Sequence, residues 1–294
     1  MLMLVACNAP APAPLYSPLI KVEALRQMMQ ERSPLVLIDV RPEAAFLQGH
    51  LPGAVNFWRP DLELTDTAYG GLALRREIFA ERLGEKGITS AHRAVLYDDK
   101  GGVEAARVLW ILKRYGHDNL HVLDGGLQAW GSDLQTGATQ ATPAVFEFEQ
   151  AERMDMNLDY ATFEAWRKHT GVRLIDNRSA LEFSGEEFKK GAFFAGHVPG
   201  ATQFCQSNCM NQDAELSTKT LDELRAMYAP MASPDDTVLV YCHSGVRSAH
   251  VWFVLSELLG YKHVYNYDGS WIEWSYFNRP DSLNKNYQQT VSAI

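Results

Sequence analysis

Val238-Leu239-Val240-Tyr241-Cys242-His243-Ser244-Gly245-Val246-Arg247-Ser248 is the stretch on which the fold and chemistry of this chain turn. Residues 237–241 are apolar or β-branched, the composition of a buried strand. Further on, Val251-Trp252-Phe253-Val254-Leu255, stopped by Gly260, has the pattern of a helix. Cys242 therefore falls where a strand hands over to a helix N-terminus. The unpaired N–H groups and positive dipole end of such a terminus favour an anion. Gly245 permits a tight backbone and Arg247 adds positive charge, and both lower a thiol pKa from its free value of about 8.5. Cys242 is expected to be a thiolate nucleophile facing an anion-binding loop. His243, Ser244, Gly245, Val246, Arg247 and Ser248 are the expected substrate-binding residues. A lone cysteine after an apolar strand is ordinarily just a small buried hydrophobe; the glycine and arginine separate this one from that case.

Working outward, the 294 residues suggest two domains of ordinary size. Hydrophobic residues make up 46% and charged residues 21%, the balance of a soluble globular protein. A net charge of −9 argues against nucleic acid or an anionic membrane as the main partner. A small anionic substrate would then need a locally positive pocket, which the Cys242 loop offers. No apolar run approaches the roughly 20 residues that span a bilayer.

The four cysteines, Cys7, Cys205, Cys209 and Cys242, are too few for a disulfide scaffold. Cys205 and Cys209 form a C-x3-C pair without a matching second pair, a weak zinc signal, and read as incidental thiols. Leu4-Val5-Ala6-Cys7, followed by alternating Pro and Ala, is similar to a bacterial lipoprotein cleavage box, but six residues precede the cysteine and none is basic. A disordered leader on a cytoplasmic protein is the expectation; a periplasmic lipoprotein carrying Cys7 is the alternative.

The chain repeats itself. Leu35-Val36-Leu37-Ile38 followed by Asp39-Val40-Arg41 has its counterpart in Val172-Arg173-Leu174-Ile175 followed by Asp176-Asn177-Arg178. Gly49-His50-Leu51-Pro52-Gly53-Ala54 returns as Gly196-His197-Val198-Pro199-Gly200-Ala201. Ala94-Val95-Leu96-Tyr97 matches Val238-Leu239-Val240-Tyr241, and Leu123-Asp124-Gly125-Gly126 matches Tyr267-Asp268-Gly269-Ser270. Long segments repeating in one order mean a duplicated domain. Short apolar strands alternate with helical patterns such as Ala105-Ala106-Arg107-Val108-Leu109-Trp110, which predicts an α/β fold with a mostly parallel sheet and helices on both faces. Ligands of such sheets bind at the carboxyl ends of strands, where Cys242 lies. The expected boundaries are a first domain over 17–130, a polar linker over 131–156, a second domain over 157–280 and a tail over 281–294. His50 and His197 are expected to hold Pro-Gly turns, and the Asp-x-Arg segments to be ion pairs or turn bonds rather than catalytic groups.

These residues resemble the two-domain rhodanese family of sulfurtransferases over about residues 17–280. The resemblance rests on the paired His-[Leu/Val]-Pro-Gly-Ala segments, the Cys242 loop, and Tyr267-Asp268-Gly269-Ser270-Trp271-Ile272-Glu273-Trp274, which is similar to the family's C-terminal signature. It implies two rhodanese-like domains, of which only the second is catalytic. The position matching Cys242 in the first half is Asp98, and a carboxylate cannot form a persulfide, so the first half is expected to scaffold and wall the cleft. The implied mechanism is ping-pong, with no metal and no organic cofactor needed: Cys242 takes the outer sulfur of thiosulfate and passes it to cyanide or another thiophilic acceptor, a protein among the candidates. Ser248 is expected to cap the following helix, and His243 reads equally as a donor-binding side chain or an exposed loop residue.

Three other readings compete. Relatives that use 3-mercaptopyruvate carry an arginine a few residues past the Asp-x-Arg segment; Glu182 stands there in this chain, where its charge would repel a carboxylate. Their loop is Cys-Gly-Ser-Gly-Val-Thr, whereas His243 and Arg247 stand at two of those positions. Thiosulfate is therefore the expected donor. Cysteine phosphatases of related fold place one more residue between cysteine and arginine, and the shorter loop here favours sulfur transfer. A non-enzymatic rhodanese-like binding module is disfavoured by the intact loop.

Overall fold

The computed structural model describes residues 17–280 except Arg32. The expectations for Cys7 and for the tail over 281–294 lie outside the described residues.

Two five-stranded sheets form, one in each half, and every strand pairing is parallel. The first contains β1 (Leu19–Ile20), β2 (Leu35–Asp39), β3 (Val55–Asn56), β4 (Arg93–Tyr97) and β5 (Leu120–Leu123), in the order β1-β5-β4-β2-β3. The second contains β6 (Asn157–Leu158), β7 (Val172–Asp176), β8 (Thr202–Gln203), β9 (Thr237–Tyr241) and β10 (His263–Tyr267), in the order β6-β10-β9-β7-β8. The same order in both halves is what duplication requires. Helices α1 (Val22–Met28), α2 (Glu43–Gln48), α3 (Arg76–Glu85), α4 (Val103–Arg114) and α5 (Gly126–Trp130) flank the first sheet. Helices α6 (Tyr160–Trp166), α7 (Ala180–Ser184), α8 (Leu221–Tyr228), α9 (Val246–Trp252) and α10 (Ser270–Phe277) flank the second, and α9 runs on into a π-helical turn, Phe253–Leu258. The α/β fold with two rhodanese-like domains expected from the sequence is the fold observed.

Parallel strands covered on both faces must be apolar on both, and β4 and β9 are buried over their last four residues. One core cluster, with Leu37, Val95 and Trp130, fills one face of the first sheet, and another, with Leu174, Leu239 and Trp271, fills one face of the second. A third runs continuously between the domains through α4 and α9, with Trp110 and Ile111 from the first and Val251 and Phe253 from the second. Fully burying each such side chain is worth roughly 1.5–3 kcal/mol, so the domains are joined by core rather than by a hinge. The segment 131–153 contains no helix or strand and is laid along the first domain. The Ala144 N–H donates to the Gly84 carbonyl, and Phe148 stacks on Phe79 and meets Tyr115 and Phe146 edge-on.

The repeated motifs anchor the strand ends that carry the site. Asp39 holds Arg41 through both carboxylate oxygens and Asp176 holds Arg178 likewise, all four buried; the two guanidiniums reach on to the Gly49 and Gly196 carbonyls. His50 and His197 each stack on a phenylalanine, Phe46 and Phe183, and bond its carbonyl at 2.8 Å. They thus tie the Pro-Gly turn to the helix before it. The N–H after each histidine donates to a tyrosine hydroxyl, Leu51 to Tyr97 and Val198 to Tyr241. Those tyrosines immediately precede Asp98 and Cys242.

Candidate active site

Cys242 follows β9 directly and is 1% exposed, and α9 begins four residues later. The turn between them depends on Gly245, whose φ is +76° and where a Cβ would lie 2.5 Å from the Asp268 carbonyl oxygen. One hydroxyl joins the Trp271 and Ile272 N–H groups, which donate to the Cys242 and His243 carbonyls, in tying the loop to the neighbouring strand–helix junction. Ser270 Oγ accepts from the N–H of Cys242 at 3.1 Å and of Gly245 at 3.0 Å, and donates to the Tyr267 carbonyl at 2.8 Å. Ser270 holds φ +50° to do so, a conformation that costs a residue with a Cβ roughly 1–2 kcal/mol. From the first domain, Arg107 on α4 grips the same loop: Nη1 donates to the Gly245 carbonyl at 3.3 Å, and Nη2 donates to the Gly71 carbonyl at 3.1 Å and pairs with Asp268 at 2.5 Å.

The sulfur itself is electrostatically biased. Burial opposes ionisation, but the Arg247 charge, the Ser248 hydroxyl, and the N–H groups of Ser248 and Ser244 outweigh it and hold the thiol below its ordinary pKa. Ser248 Oγ lies 3.5 Å from Cys242 Sγ and donates to it. This corrects the expectation that Ser248 caps α9. The N-cap is Gly245, in left-handed conformation without a side-chain cap, so Ser248 sits in the first turn facing back to the cysteine. Gly245 also departs from expectation, because its N–H is taken by Ser270 and does not face the sulfur.

Arg247 is not the free cation the sequence suggests. Its two terminal nitrogens donate to Glu182 at 2.6 and 2.8 Å, and Lys189 adds a third contact to Glu182 at 3.0 Å. Glu182 is 2% exposed and also closes a capping box with Ser179 at the start of α7. Burial would raise its pKa, but Arg247, Lys189 and the Ser179 N–H bring it down to about 2. The expected direct repulsion of a substrate carboxylate by Glu182 is therefore largely compensated by the two cations on it.

Cys242, His243, Ser244, Val246 and Arg247 line a cavity of about 480 Å³; Gly245 and Ser248 support it from behind. The first domain supplies Arg59, Lys100, Val103 and Glu104 to the opposite wall, and Lys189, Gln206, Met210 and Leu216 complete it. His243 is turned aside, with Nε2 3.1 Å from the Lys190 carbonyl, and burial lowers its pKa. A larger groove of about 850 Å³ lies on the first domain between Trp58 and Ile78, but no cysteine or histidine lines it. Cys205 and Cys209 point to different partners: Cys205 Sγ is 3.2 Å from the Ser207 hydroxyl, and Cys209 Sγ is 3.2 Å from that of Tyr228. Burial pushes the Cys209 thiol up to about 12. Among the described residues no group of His, Cys, Asp or Glu could hold a metal ion, and no helix is long and apolar enough to cross a membrane.

The first domain shows what the loop geometry does to a charge. Asp98 occupies the Cys242 position, fully buried, and its oxygens accept four backbone N–H groups: Lys100 and Gly102 on Oδ1, Glu104 and Ala105 on Oδ2, at 2.8 to 3.1 Å. Burial raises its pKa. Yet each oxygen already accepts two N–H groups, which leaves a carboxyl proton no acceptor, so an anion sits in this cradle. The N–H groups of Ser244 and Ser248 stand where those of Lys100 and Glu104 stand, two and six residues after the cradle position.

Sequence reasoning missed Ser270, Arg107, Lys189, Arg59 and Lys100. Two signals were readable: a charge inside the apolar run of α4, and a serine where the first copy has Gly126, at φ +52°.

The rhodanese-like domain family matches residues 21–133 and 159–276. A thiosulfate sulfurtransferase of Corynebacterium glutamicum is 36% identical over 259 residues, 83% of this chain and 83% of that protein. The sulfur carrier protein TtuD of Thermus thermophilus is 35% identical over 244 residues, 77% of this chain and 82% of that protein. Among solved structures, an EanB variant in complex with ergothioneine superposes with a TM-score of 0.79 at 25% identity, covering 88% of this chain and 68% of that one. The chain thus belongs to the rhodanese-like family, as a tandem pair of its domains, and with it to the sulfurtransferases.

Proposed function

We propose that this chain moves a sulfane sulfur from thiosulfate to cyanide or another thiophilic acceptor through a persulfide on Cys242. The observation that carries this reading is the repeated cradle. The strand–loop–helix turn that holds the Asp98 carboxylate in the first domain presents Cys242 in the second, beside an open cavity. A site that solvates a fixed anion with backbone N–H groups suits a thiolate that must become a persulfide anion and return.

In the first half-reaction the Cys242 thiolate attacks the outer sulfur of thiosulfate. A Cys242–sulfur bond forms, the sulfur–sulfur bond of the donor breaks, and sulfite leaves with the electron pair. In the second, the acceptor attacks the terminal sulfur and Cys242 departs as thiolate. Arg247, held in place by Glu182, and Lys189 at the cavity wall supply positive charge for the dianionic donor and the leaving sulfite. Ser244 and Ser248 stabilise the sulfur anion. Glu182, where mercaptopyruvate enzymes carry arginine, offers no cation to a substrate carboxylate, which favours thiosulfate over 3-mercaptopyruvate.

The test compares steady-state kcat/KM for thiosulfate and 3-mercaptopyruvate with cyanide as acceptor, and weighs the protein after thiosulfate alone. One added sulfur atom on Cys242, absent from Cys242→Ser, is expected, with thiosulfate the better donor. A higher kcat/KM for mercaptopyruvate reverses the donor assignment. No added sulfur removes the persulfide, and substantial aryl-phosphate turnover lost in Cys242→Ser moves the chain to the phosphatases.

A further inference from the structure

Besides Arg107, the first domain reaches the Cys242 loop through a strap over 63–73, which runs out from Leu62 and returns at Leu74, both buried. Its base is closed by a bridge between Glu63 and Ala73, where the Leu64 N–H donates to the Leu72 carbonyl and the Leu74 N–H to the Leu62 carbonyl. Its tip, Ala68-Tyr69-Gly70-Gly71-Leu72, carries no charge and lies against the second domain. The Tyr69 hydroxyl donates to Glu273 at 2.5 Å, and the Tyr69 ring packs on Tyr276 and Phe277 with centroids 5.0 and 6.0 Å away. All three partners belong to α10. The Ala73 N–H donates to Asp268, just before that helix, at 3.1 Å.

Gly71 is where the strap meets the reactive loop. Its φ is +95°, and a Cβ built there would lie 2.8 Å from Ser244 Cβ and 3.3 Å from Ser244 Cα, so only a glycine brings the backbone this close. Its carbonyl accepts from Arg107 Nη2, while Nη1 of the same guanidinium holds the Gly245 carbonyl. On the other side, the Trp271 and Ile272 N–H groups in the first turn of α10 donate to the Cys242 and His243 carbonyls. The contacts close a ring: the strap is moored on α10, α10 holds the loop, and the loop rests on the strap. Ser244 stands between the tied carbonyls and in contact with Gly71, and its N–H is one of the groups that favour the Cys242 thiolate.

We propose that Tyr69 and Gly71 are positioning residues for the reaction at Cys242: Tyr69 moors the strap to α10, and Gly71 braces Ser244 so that its N–H stays on the sulfur. The inference rests on Cys242 as the reacting thiol and is independent of which donor supplies the sulfur. The charges nearest the loop, Arg247 paired with Glu182 and Arg107 paired with Asp268, belong to other elements. The uncharged tip therefore acts on the sulfur through the place of Ser244 and not through a field of its own. The sign of the effect separates it from an electrostatic one. Removing the Tyr69 hydroxyl takes a donor from Glu273, whose pKa burial already raises. A Glu273 that gains a proton is less negative and eases ionisation of Cys242. A lost brace makes that ionisation harder.

The experiment follows alkylation of Cys242 by iodoacetamide against pH in the full-length protein, read on the Cys242 peptide by mass spectrometry. It needs no sulfur donor. In Gly71→Ala and Tyr69→Ala the midpoint of the profile is expected to rise by about half a pH unit or more, about a threefold loss of thiolate below the midpoint. The rate on the high-pH plateau is expected to stay within about twofold of wild type. Tyr69→Phe keeps the ring contacts and loses only the bond to Glu273; it is expected to rise by less, and it carries the test of Tyr69 if the alanine variant does not fold. Unchanged midpoints, with only urea unfolding altered, reduce the strap to a structural contact and overturn the proposal while leaving the Cys242 persulfide untouched. A downward shift assigns the effect to the charge of Glu273 and overturns it as well. A rise in Gly71→Ala alone removes Tyr69 as the mooring. A wild-type midpoint at or above about 8.5 removes the activated thiol on which this inference and the proposed function both rest.

Discussion

Replacing Ser270 tests whether one hydroxyl holds the Cys242 loop. Ser270 Oγ is the acceptor for the N–H groups of Cys242 and Gly245, all in the interior. In Ser270→Ala both donors lose their partner, and each buried unsatisfied group costs about 1–3 kcal/mol. Because the two share one site, we expect a combined loss of about 2–4 kcal/mol rather than the full sum. Alanine keeps the backbone strain at φ +50°, whereas glycine relieves it. Ser270→Gly should therefore suffer the same hydrogen-bond loss but recover about 1 kcal/mol. Urea unfolding of the three proteins gives the ordering serine, glycine, alanine, from most to least stable. Sulfur transfer should fall in both variants, since the loop loses two of its ties while Arg107 and the N–H groups of Trp271 and Ile272 still hold its carbonyls. If glycine equals wild type in stability, or alanine exceeds glycine, the hydroxyl does not close the loop and the reasoning fails.

Three further outcomes follow from the geometry. A Cys205→Ser, Cys209→Ser double variant should keep turnover within about tenfold, roughly 1.4 kcal/mol of barrier, because neither thiol lines the cavity; a larger loss makes one of them a relay. Glu182 has its pKa drawn from 4.5 to about 2 in the folded chain. That contribution, about 3 kcal/mol, is present above pH 4.5 and is lost as pH falls towards 2. Glu182→Gln should then be least stable relative to wild type at neutral pH, with the difference shrinking across that window; a pH-independent difference removes the ion pair as its cause. Asp98→Ala strips the acceptor from four N–H groups in the loop before α4 and its first turn, those of Gly102 and Ala105 buried, and should cost about 2–4 kcal/mol, read by urea unfolding; a loss below about 1 kcal/mol means the cradle does not need its carboxylate.

What the sequence made legible was whatever repeats or lies local to one segment. The strand–loop–helix at Cys242, the paired Asp-x-Arg and His-Pro-Gly segments and the order of elements are all short-range patterns, and the duplicated chain states each twice. The pairing of Arg247 was not legible, because its partner Glu182 is 65 residues away and carries a local signal of its own as half of a capping box. The role of Ser248 was misjudged because a serine near a helix start is usually a cap; only the left-handed Gly245 shows that the turn is made without one. Arg107 and Ser270 act on the loop across the domain interface and across a strand junction. No periodicity in one segment reports such contacts.

The two halves differ in how they fill the same cradle, and that difference accounts for much of the architecture. An anion fixed in the first domain keeps the N–H groups at the start of α4 permanently satisfied, which makes that helix a stable wall. The second domain, on the proposed chemistry, must hold a thiolate, then a persulfide, then a thiolate again, so no bound carboxylate can complete its cradle. Its loop has to be held from outside. Ser270 takes two of its N–H groups at the cost of a strained backbone, and Arg107, extending from the helix that Asp98 secures, takes its carbonyl. The first half is thus coupled to the Cys242 loop through α4: the aspartate that stands in the place of the cysteine stabilises the helix from which that loop is clamped.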